Sequence, residues 1–329
     1  MTQGKTILVT GGAGFIGSHL VERLLGEKHS VVVIDDLSTG NLANLHAVRT
    51  HPRLRLVQSK ISACAELPKL AARAGYFFHL AATVGVELVV KSALNVLESS
   101  LLETQSLLRA AAASGTPLLL TSTSEVYGKS PNAVFDEDDD LLIGPPGQAR
   151  WSYACSKLND EFLALAYARE KSLPVIITRL FNTVGPRQTG RFGMVLPRFI
   201  AAALSDEPLR VFGDGSQSRC FCLVDDVVEA MIRLQGCAKA RSEIFNVGGT
   251  EEVTIRELAE RVVKTLRSKS KIEFVPYAKA YARGFDDMKH RQPRVAKLRR
   301  FVGFRPRTTL RNMILLTAAS QKRPGEFLK

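Results

Sequence analysis

The sequence predicts an α/β fold built on a doubly wound parallel sheet, with a smaller domain contributed mainly by the C-terminal part of the chain. Three observations carry this expectation. Short β-branched and aromatic runs alternate with amphipathic helical stretches through the first half. A glycine-rich turn joins the first run to the first helix. After Asn182 the alternation gives way to Gly/Pro-rich connections around Gly185-Pro186-Arg187 and Gly213-Asp214-Gly215.

In chain order, a strand is expected over Ile7 to Thr10, a helix from about Phe15 and a strand over Val31 to Ile34. Phe77 to Leu80 reads as a strand, Val96 to Ala113 as a helix and Leu118 to Thr121 as a strand. A long helix is expected at Ser152 to Lys171 and a strand at Val175 to Arg179. Ile244 to Val247 reads as one more strand returning to the first domain, so the boundary is crossed several times. The expected division is 1–182 plus about 221–249 for the first domain and about 183–220 plus 250–329 for the second.

Composition narrows the function classes. With 329 residues, 45% hydrophobic and 23% charged, the chain reads as an ordered globular protein, long enough for one large domain or two sharing a cleft. The N-terminal run Thr6 to Thr10 is too short for a signal-peptide core and lacks a cleavage pattern. No later apolar run approaches the roughly 20 residues of a membrane span, so a cytoplasmic location is expected, with no membrane partner. The cysteines at 64, 155, 220, 222 and 237 are scattered and lack zinc spacing; no metal is expected, and the thiols read as reduced and structural. The net charge of +13 resides in the tail: from Lys264 onward there are 18 Lys/Arg against 4 Asp/Glu. Such a tail suits a solvated face or an anionic ligand. Nucleic acid is not expected, because no recognition motif or interleaved aromatic run accompanies the charge.

The turn Thr10-Gly11-Gly12-Ala13-Gly14-Phe15-Ile16-Gly17 follows a strand and opens a helix, with glycines at 11, 14 and 17. Lack of a β-carbon allows a tight turn and lets a pyrophosphate approach the helix N-terminus, where free N–H groups and the helix dipole stabilise its charge. This is the pattern of a Rossmann-type dinucleotide site. The second strand ends in Asp35-Asp36, near the offset at which a carboxylate accepts hydrogen bonds from the adenosine ribose. A negative charge there repels a 2′-phosphate, which favours NAD over NADP, with Asp35 the better placed of the two.

Tyr153-Ala154-Cys155-Ser156-Lys157 places tyrosine and lysine four apart, on one face of a helix. A lysine ammonium beside the phenol, aided by the positive nicotinamide, stabilises a phenolate that can take a hydroxyl proton while hydride leaves the same carbon. Thr121-Ser122-Thr123-Ser124-Glu125 supplies hydroxyls at a strand end.

Together these segments resemble the extended short-chain dehydrogenase/reductase family, in support of which stand His79-Leu80-Ala81-Ala82, Arg179-Leu180-Phe181-Asn182, Gly213 to Arg219 and Asp225-Asp226-Val227. The resemblance implies that Gly11, Gly14, Phe15, Ile16, Gly17, Asp35, Asp36 and Ala81 bind NAD. It further implies that Thr123 hydrogen-bonds the reacting hydroxyl, Tyr153 is the base and also contacts the cofactor, and Lys157 supports it and binds ribose. Asn182, Arg219 and Arg291 are implied to hold the diphosphate of a nucleotide sugar, with Ser124 also facing substrate.

In that family a 4-keto sugar is a branch point. Dehydratases show Asp-Glu after the catalytic Thr/Ser and 4-epimerases small or hydroxyl residues, whereas Ser124-Glu125 matches the UDP-glucuronate decarboxylases. Phe135 to Tyr153 is similar to the decarboxylase domain of the lipid A aminoarabinose pathway, and His290-Arg291-Gln292-Pro293 matches a segment whose arginine contributes to catalysis there. The resemblance thus implies a UDP-glucuronate decarboxylase, with Glu125 and Arg291 catalytic. A UDP-sugar 4-epimerase is the alternative and an inactive nucleotide-sugar-binding protein the rival of another class. Lys60, Ser100, Glu103 and Arg294 depart from the usual Asp, Asn, Gly and Asp, and the first of these puts the adenine contact in doubt. The helices near Val96 to Ala113 and Ser152 to Lys171 resemble a pair that forms a four-helix bundle, which implies a homodimer.

Overall fold

A computed structural model describes residues 5–82, 92–190, 194–276, 288 and 290–322. Its central sheet contains β1 (Thr6–Thr10), β2 (Ser30–Asp35), β3 (Leu54–Gln58), β4 (Ala74–His79), β5 (Leu118–Thr123), β6 (Val175–Leu180) and β7 (Glu243–Val247). The strands run parallel in the order β7-β6-β5-β4-β1-β2-β3. The direction of winding reverses between β1 and β4, so a crevice opens beyond the carboxyl ends of those strands. Every strand expected from the sequence is present. β4 begins three residues before Phe77, because Tyr76 pairs with Ile7 of β1 and is buried there.

The helices are α1 (Phe15–Gly26), α2 (Leu67–Arg73), α3 (Ala93–Ser114), α4 (Trp151–Lys171), α5 (Val195–Leu204), α6 (Val224–Gln235), α7 (Ile255–Leu266), α8 (Ala296–Val302) and α9 (Leu310–Lys322). Alternation along the strands explains how both faces of the sheet are covered. Ile7, Val9, Val31, Val33 and Phe78 pack with α1 and α6, while Leu8, Val32, Ile34, Phe77 and Leu120 pack with α2, α3 and α4. Strands buried on both sides need apolar residues at successive positions, which is why these segments read as continuous hydrophobic runs.

A third core joins α5, α7 and α9 through Phe199, Ile200, Leu258, Val262, Met313 and Ile314. Two short ladders tie outlying segments to the crevice. Ser218–Cys220 pairs antiparallel with Glu252–Thr254, and Gln292–Pro293 pairs parallel with Val134–Phe135. The second ladder carries the segment just before Gln292 to the loop that follows β5.

Candidate active site

A cavity of about 760 Å³ is lined by residues at the carboxyl ends of β1, β2, β4, β5 and β6 and by residues of the third core. One end is the glycine turn. Gly11 has φ +69°, and a β-carbon there would lie 2.7 Å from the Ala81 nitrogen. A β-carbon on Gly17 would collide with the Gly11 carbonyl oxygen, so this glycine lets α1 start directly on the turn. Gly14 caps α1 without a side-chain hydrogen bond, and the first helical turn carries no acidic residue. Its amides at Phe15, Ile16 and Gly17 therefore border the cavity with no carboxylate competing for them, which suits a pyrophosphate.

Asp35 and Asp36 line the same end. Asp35 is buried, accepts from the amides of Ala13 and Leu37 at 2.9 Å each, and has its pKa raised by that burial. It thus braces the glycine turn while lining the cavity. Exposed Asp36 accepts from Ser38 N–H and O–H. Ala81 also lines the cavity and donates its N–H to the Thr10 hydroxyl at 3.3 Å. A glycine cradle, an open helix start and a strand-end carboxylate fit NAD.

Two departures have a local explanation at the pocket edge. Glu103 on α3 accepts from the backbone N–H groups of Ile61 and Ser62 and from the Ser62 hydroxyl, fixing the turn that carries Lys60. Both Lys60 and Glu103 line the cavity. The third, Arg294, forms an outer ion pair with Asp136 at 2.8 Å.

Thr123, Glu125, Tyr153, Lys157, Asn182, Arg219 and Arg291 meet at the other end. Thr123 ends β5, and its hydroxyl accepts from the Glu125 amide at 3.2 Å, capping the short turn Ser124–Tyr127. Behind this turn, Arg179 binds Glu161 with contacts of 2.8 to 3.3 Å, and Ser122 donates to Glu161. Tyr127 donates to Asn246 at 2.8 Å. This buried and mutually satisfied set immobilises the turn.

Tyr153 and Lys157 stand one turn apart on α4. Burial raises the Tyr153 pKa, with Glu125 and Asp160 adding to the rise, while Arg291 and a hydrogen bond from Thr123 pull it down. Lys157 Nζ lies 3.2 Å from Asp160 Oδ2, both side chains being buried. His79 sits between the Thr10 and Thr104 hydroxyls, and burial and the Lys157 charge push its pKa down to about 3.

Arg291 donates to the Ser124 hydroxyl at 2.7 Å and reaches Glu125 Oε1 at 3.5 Å. Ser124 departs from the expectation of a substrate contact. Its side chain is wholly buried and outside the cavity lining, so it holds Arg291 instead. Arg219 donates to the carbonyls of Ser218 and Met288, and Asn182 donates to that of Cys220 at 3.1 Å.

Sequence reasoning missed several residues here. Buried Arg150 lines the cavity one helical turn before Tyr153, a spacing that could have flagged it. Arg187, Arg198 and Arg210 also line the cavity. Among the described residues of the basic tail, Arg291 is the cation that lines the cavity. Among the described residues no group of three side chains is placed to hold a metal ion, and no helix is long and apolar enough to cross a membrane.

Comparison with known proteins places this geometry among relatives. A model of the NAD-dependent epimerase/dehydratase family matches residues 7–248. A UDP-N-acetyl-alpha-D-glucosaminuronate decarboxylase of Bacillus cytotoxicus is 40% identical over 303 residues, 92% of this chain and 93% of that protein. UDP-glucuronic acid decarboxylase 2 of Arabidopsis thaliana is 33% identical, covering 94% of this chain and 66% of the longer plant protein. Among solved structures, UDP-glucuronic acid 4-epimerase of Bacillus cereus, in complex with UDP-glucuronic acid and NAD, superimposes with a TM-score of 0.87 at 27% identity. It covers 97% of this chain and 99% of its own.

Proposed function

The chain belongs to the NAD-dependent epimerase/dehydratase family, and we propose that within it the protein decarboxylates a UDP-linked uronic acid, UDP-glucuronate or its 2-acetamido counterpart. The observation that carries this reading is the contact of Arg291 with Ser124 and Glu125 beside Thr123 and Tyr153. A cation and a carboxylate then adjoin the hydroxyl and phenol groups that handle C4. The identity to a uronate decarboxylase along nearly the whole chain supports the same assignment.

The proposed roles follow from placement. Gly11, Gly14, Phe15, Ile16, Gly17, Asp35, Asp36, Ala81 and Lys157 hold NAD, which when bound accepts hydride from C4 and later returns it. Asn182, Arg219 and Arg291 bind the sugar nucleotide, with 1–182 plus about 221–249 serving the cofactor and the remainder the substrate. Thr123 orients the C4 hydroxyl, and Tyr153 takes its proton as hydride leaves. C4 is now a ketone β to the C5 carboxylate. The bond from C5 to the carboxyl carbon breaks, CO2 departs, and its electron pair forms an enolate that the Arg291 guanidinium stabilises. Glu125 handles the proton delivered to C5. Tyr153 returns its proton to the C4 oxygen during reduction, so UDP-uronate and one proton yield UDP-pentose and CO2.

The protein is proposed to act as a cytoplasmic homodimer. Leu94, Leu97, Leu101 and Leu102 recur at helical spacing on α3 and are 39 to 69% exposed, and Phe162 on the adjacent α4 is 64% exposed. So large an apolar stripe on two packed helices suits burial against a second copy.

Incubation with NAD and, separately, UDP-glucuronate, UDP-N-acetylglucosaminuronate and UDP-glucose tests the function. A product lighter by CO2 from either uronate supports it. Products of unchanged mass but altered retention support the 4-epimerase instead.

A further inference from the structure

Asp160 lies wholly inside the protein yet takes no part in the Arg179–Glu161 network beside it. Its Oδ2 pairs with Lys157 at 3.2 Å and accepts from the Ser100 hydroxyl at 3.0 Å. Its Oδ1 is buried without a hydrogen-bond partner. A carboxylate in this setting is costly, and an ion pair meant only to stabilise a helix would be better placed at the surface. Both of its partners, Lys157 and Ser100, line the cavity.

We propose that Asp160 is a positioning residue, holding the Lys157 ammonium in place and sharing its charge, so that Tyr153 works within a three-membered array rather than a pair. Ser100, in place of the usual Asn, donates to Asp160 and braces that array from outside it. The inference rests on Tyr153 and Lys157 being the catalytic pair of the proposed decarboxylase. Among the described residues, the charged and titratable groups around them are Glu125 after β5, Arg291 beside it, His79 on β4, and Arg150 and Asp160 on or next to α4. Among these, Asp160 is the one paired directly with the lysine. Its negative charge offsets the ammonium and favours the protonated phenol, the direction also given by its effect on the Tyr153 pKa. The array therefore trades phenolate stability for a lysine fixed in one orientation.

Asp160→Asn keeps the shape and an oxygen for Lys157 and Ser100 while removing the charge. In the NAD-loaded protein, ultraviolet phenolate absorbance is titrated for each variant against its Tyr153→Phe counterpart, which isolates this phenol. Turnover of UDP-glucuronate and UDP-N-acetylglucosaminuronate is followed over the same pH range. We expect the phenolate midpoint and the acid limb of turnover to move down by about one pH unit. An unchanged or higher phenolate midpoint in the folded variant overturns the proposal. If that variant does not fold, Ser100→Ala decides: with its hydroxyl partner gone, Asp160 bears harder on Lys157 and the midpoint rises, whereas no change or a fall overturns the proposal. A shifted phenolate titration without turnover of either uronate refutes the decarboxylase reading alone. Normal turnover without a shift refutes the role of Asp160 alone.

Discussion

The Arg291 guanidinium donates to the Ser124 hydroxyl at 2.7 Å although 167 positions separate them in the chain. The parallel ladder between Gln292–Pro293 and Val134–Phe135 makes this meeting possible, and the Arg294 amide extends it by donating to the Phe135 carbonyl at 2.9 Å. Arg291→Met is expected to lower turnover about 100-fold, the usual cost of losing one preorganised charge-stabilising group. NAD binding, read by calorimetry, should stay unchanged. Arg291→Lys should recover little, because an ammonium cannot span both Ser124 and Glu125 as the guanidinium does.

Glu125 presents a carboxylate to the cavity from a turn immobilised by Thr123. Glu125→Gln preserves the shape and removes the carboxylate proposed to transfer the proton. Turnover should fall about 100-fold. The acid limb of the remaining activity should move to lower pH, since the Glu125 charge is one of those raising the Tyr153 pKa. Rates measured across a pH series check both outcomes.

His79 makes a distinct contribution to stability. It is neutral in the fold with its pKa pushed down to about 3, against about 6.5 in an unfolded chain. Between those values the unfolded chain binds a proton that the folded chain does not. The contribution is therefore fully present above about pH 6.5 and is lost as pH falls toward the folded value, at about 1.4 kcal/mol per unit. Urea midpoints measured at a series of acidic pH values should fall steeply for the wild type. His79→Asn should flatten that dependence even if its stability at neutral pH is lower.

The apolar stripe on α3 and α4 gives an assembly test. Leu101→Glu combined with Phe162→Glu places charges where two copies are expected to meet. Sedimentation at micromolar concentration should show a dimer for the wild type and a monomer for the double variant. A wild-type monomer would contradict the proposed assembly.

Asp35 tests the cofactor assignment. Its carboxylate closes the end of β2 and braces the Ala13 and Leu37 amides. Asp35→Asn should weaken NAD binding and narrow the preference for NAD over NADP, as read by parallel titrations with the two cofactors.

Much of this arrangement was legible in the sequence because it rests on local spacing. The glycine turn before α1, the Asp35-Asp36 pair ending β2 and the four-residue step from Tyr153 to Lys157 are each set by neighbours in the chain. The basic tail was a weaker guide: its excess charge is visible in composition, yet among its described residues only Arg291 lines the cavity. Partnerships across long separations were not legible. Nothing in the pattern near Ser100 announces a bond to Asp160, nor does Glu103 announce its hold on Ile61 and Ser62. The family resemblance implied Ser124 as a substrate contact, but the turn after β5 directs its side chain inward to Arg291. Such pairs arise only when the sheet and its short ladders bring separate segments together.

The proposed reaction releases CO2 from C5 after oxidation at C4. The most direct test uses UDP-glucuronate and UDP-N-acetylglucosaminuronate isotopically labelled at the carboxyl carbon, with the NAD-loaded protein and its Tyr153→Phe variant. Decarboxylation predicts labelled CO2 from at least one substrate, in equal amount to a UDP-pentose or UDP-2-acetamido-pentose, and almost none with Tyr153→Phe. Retention of all label in a UDP-uronate of altered C4 configuration would contradict decarboxylation and identify an epimerase.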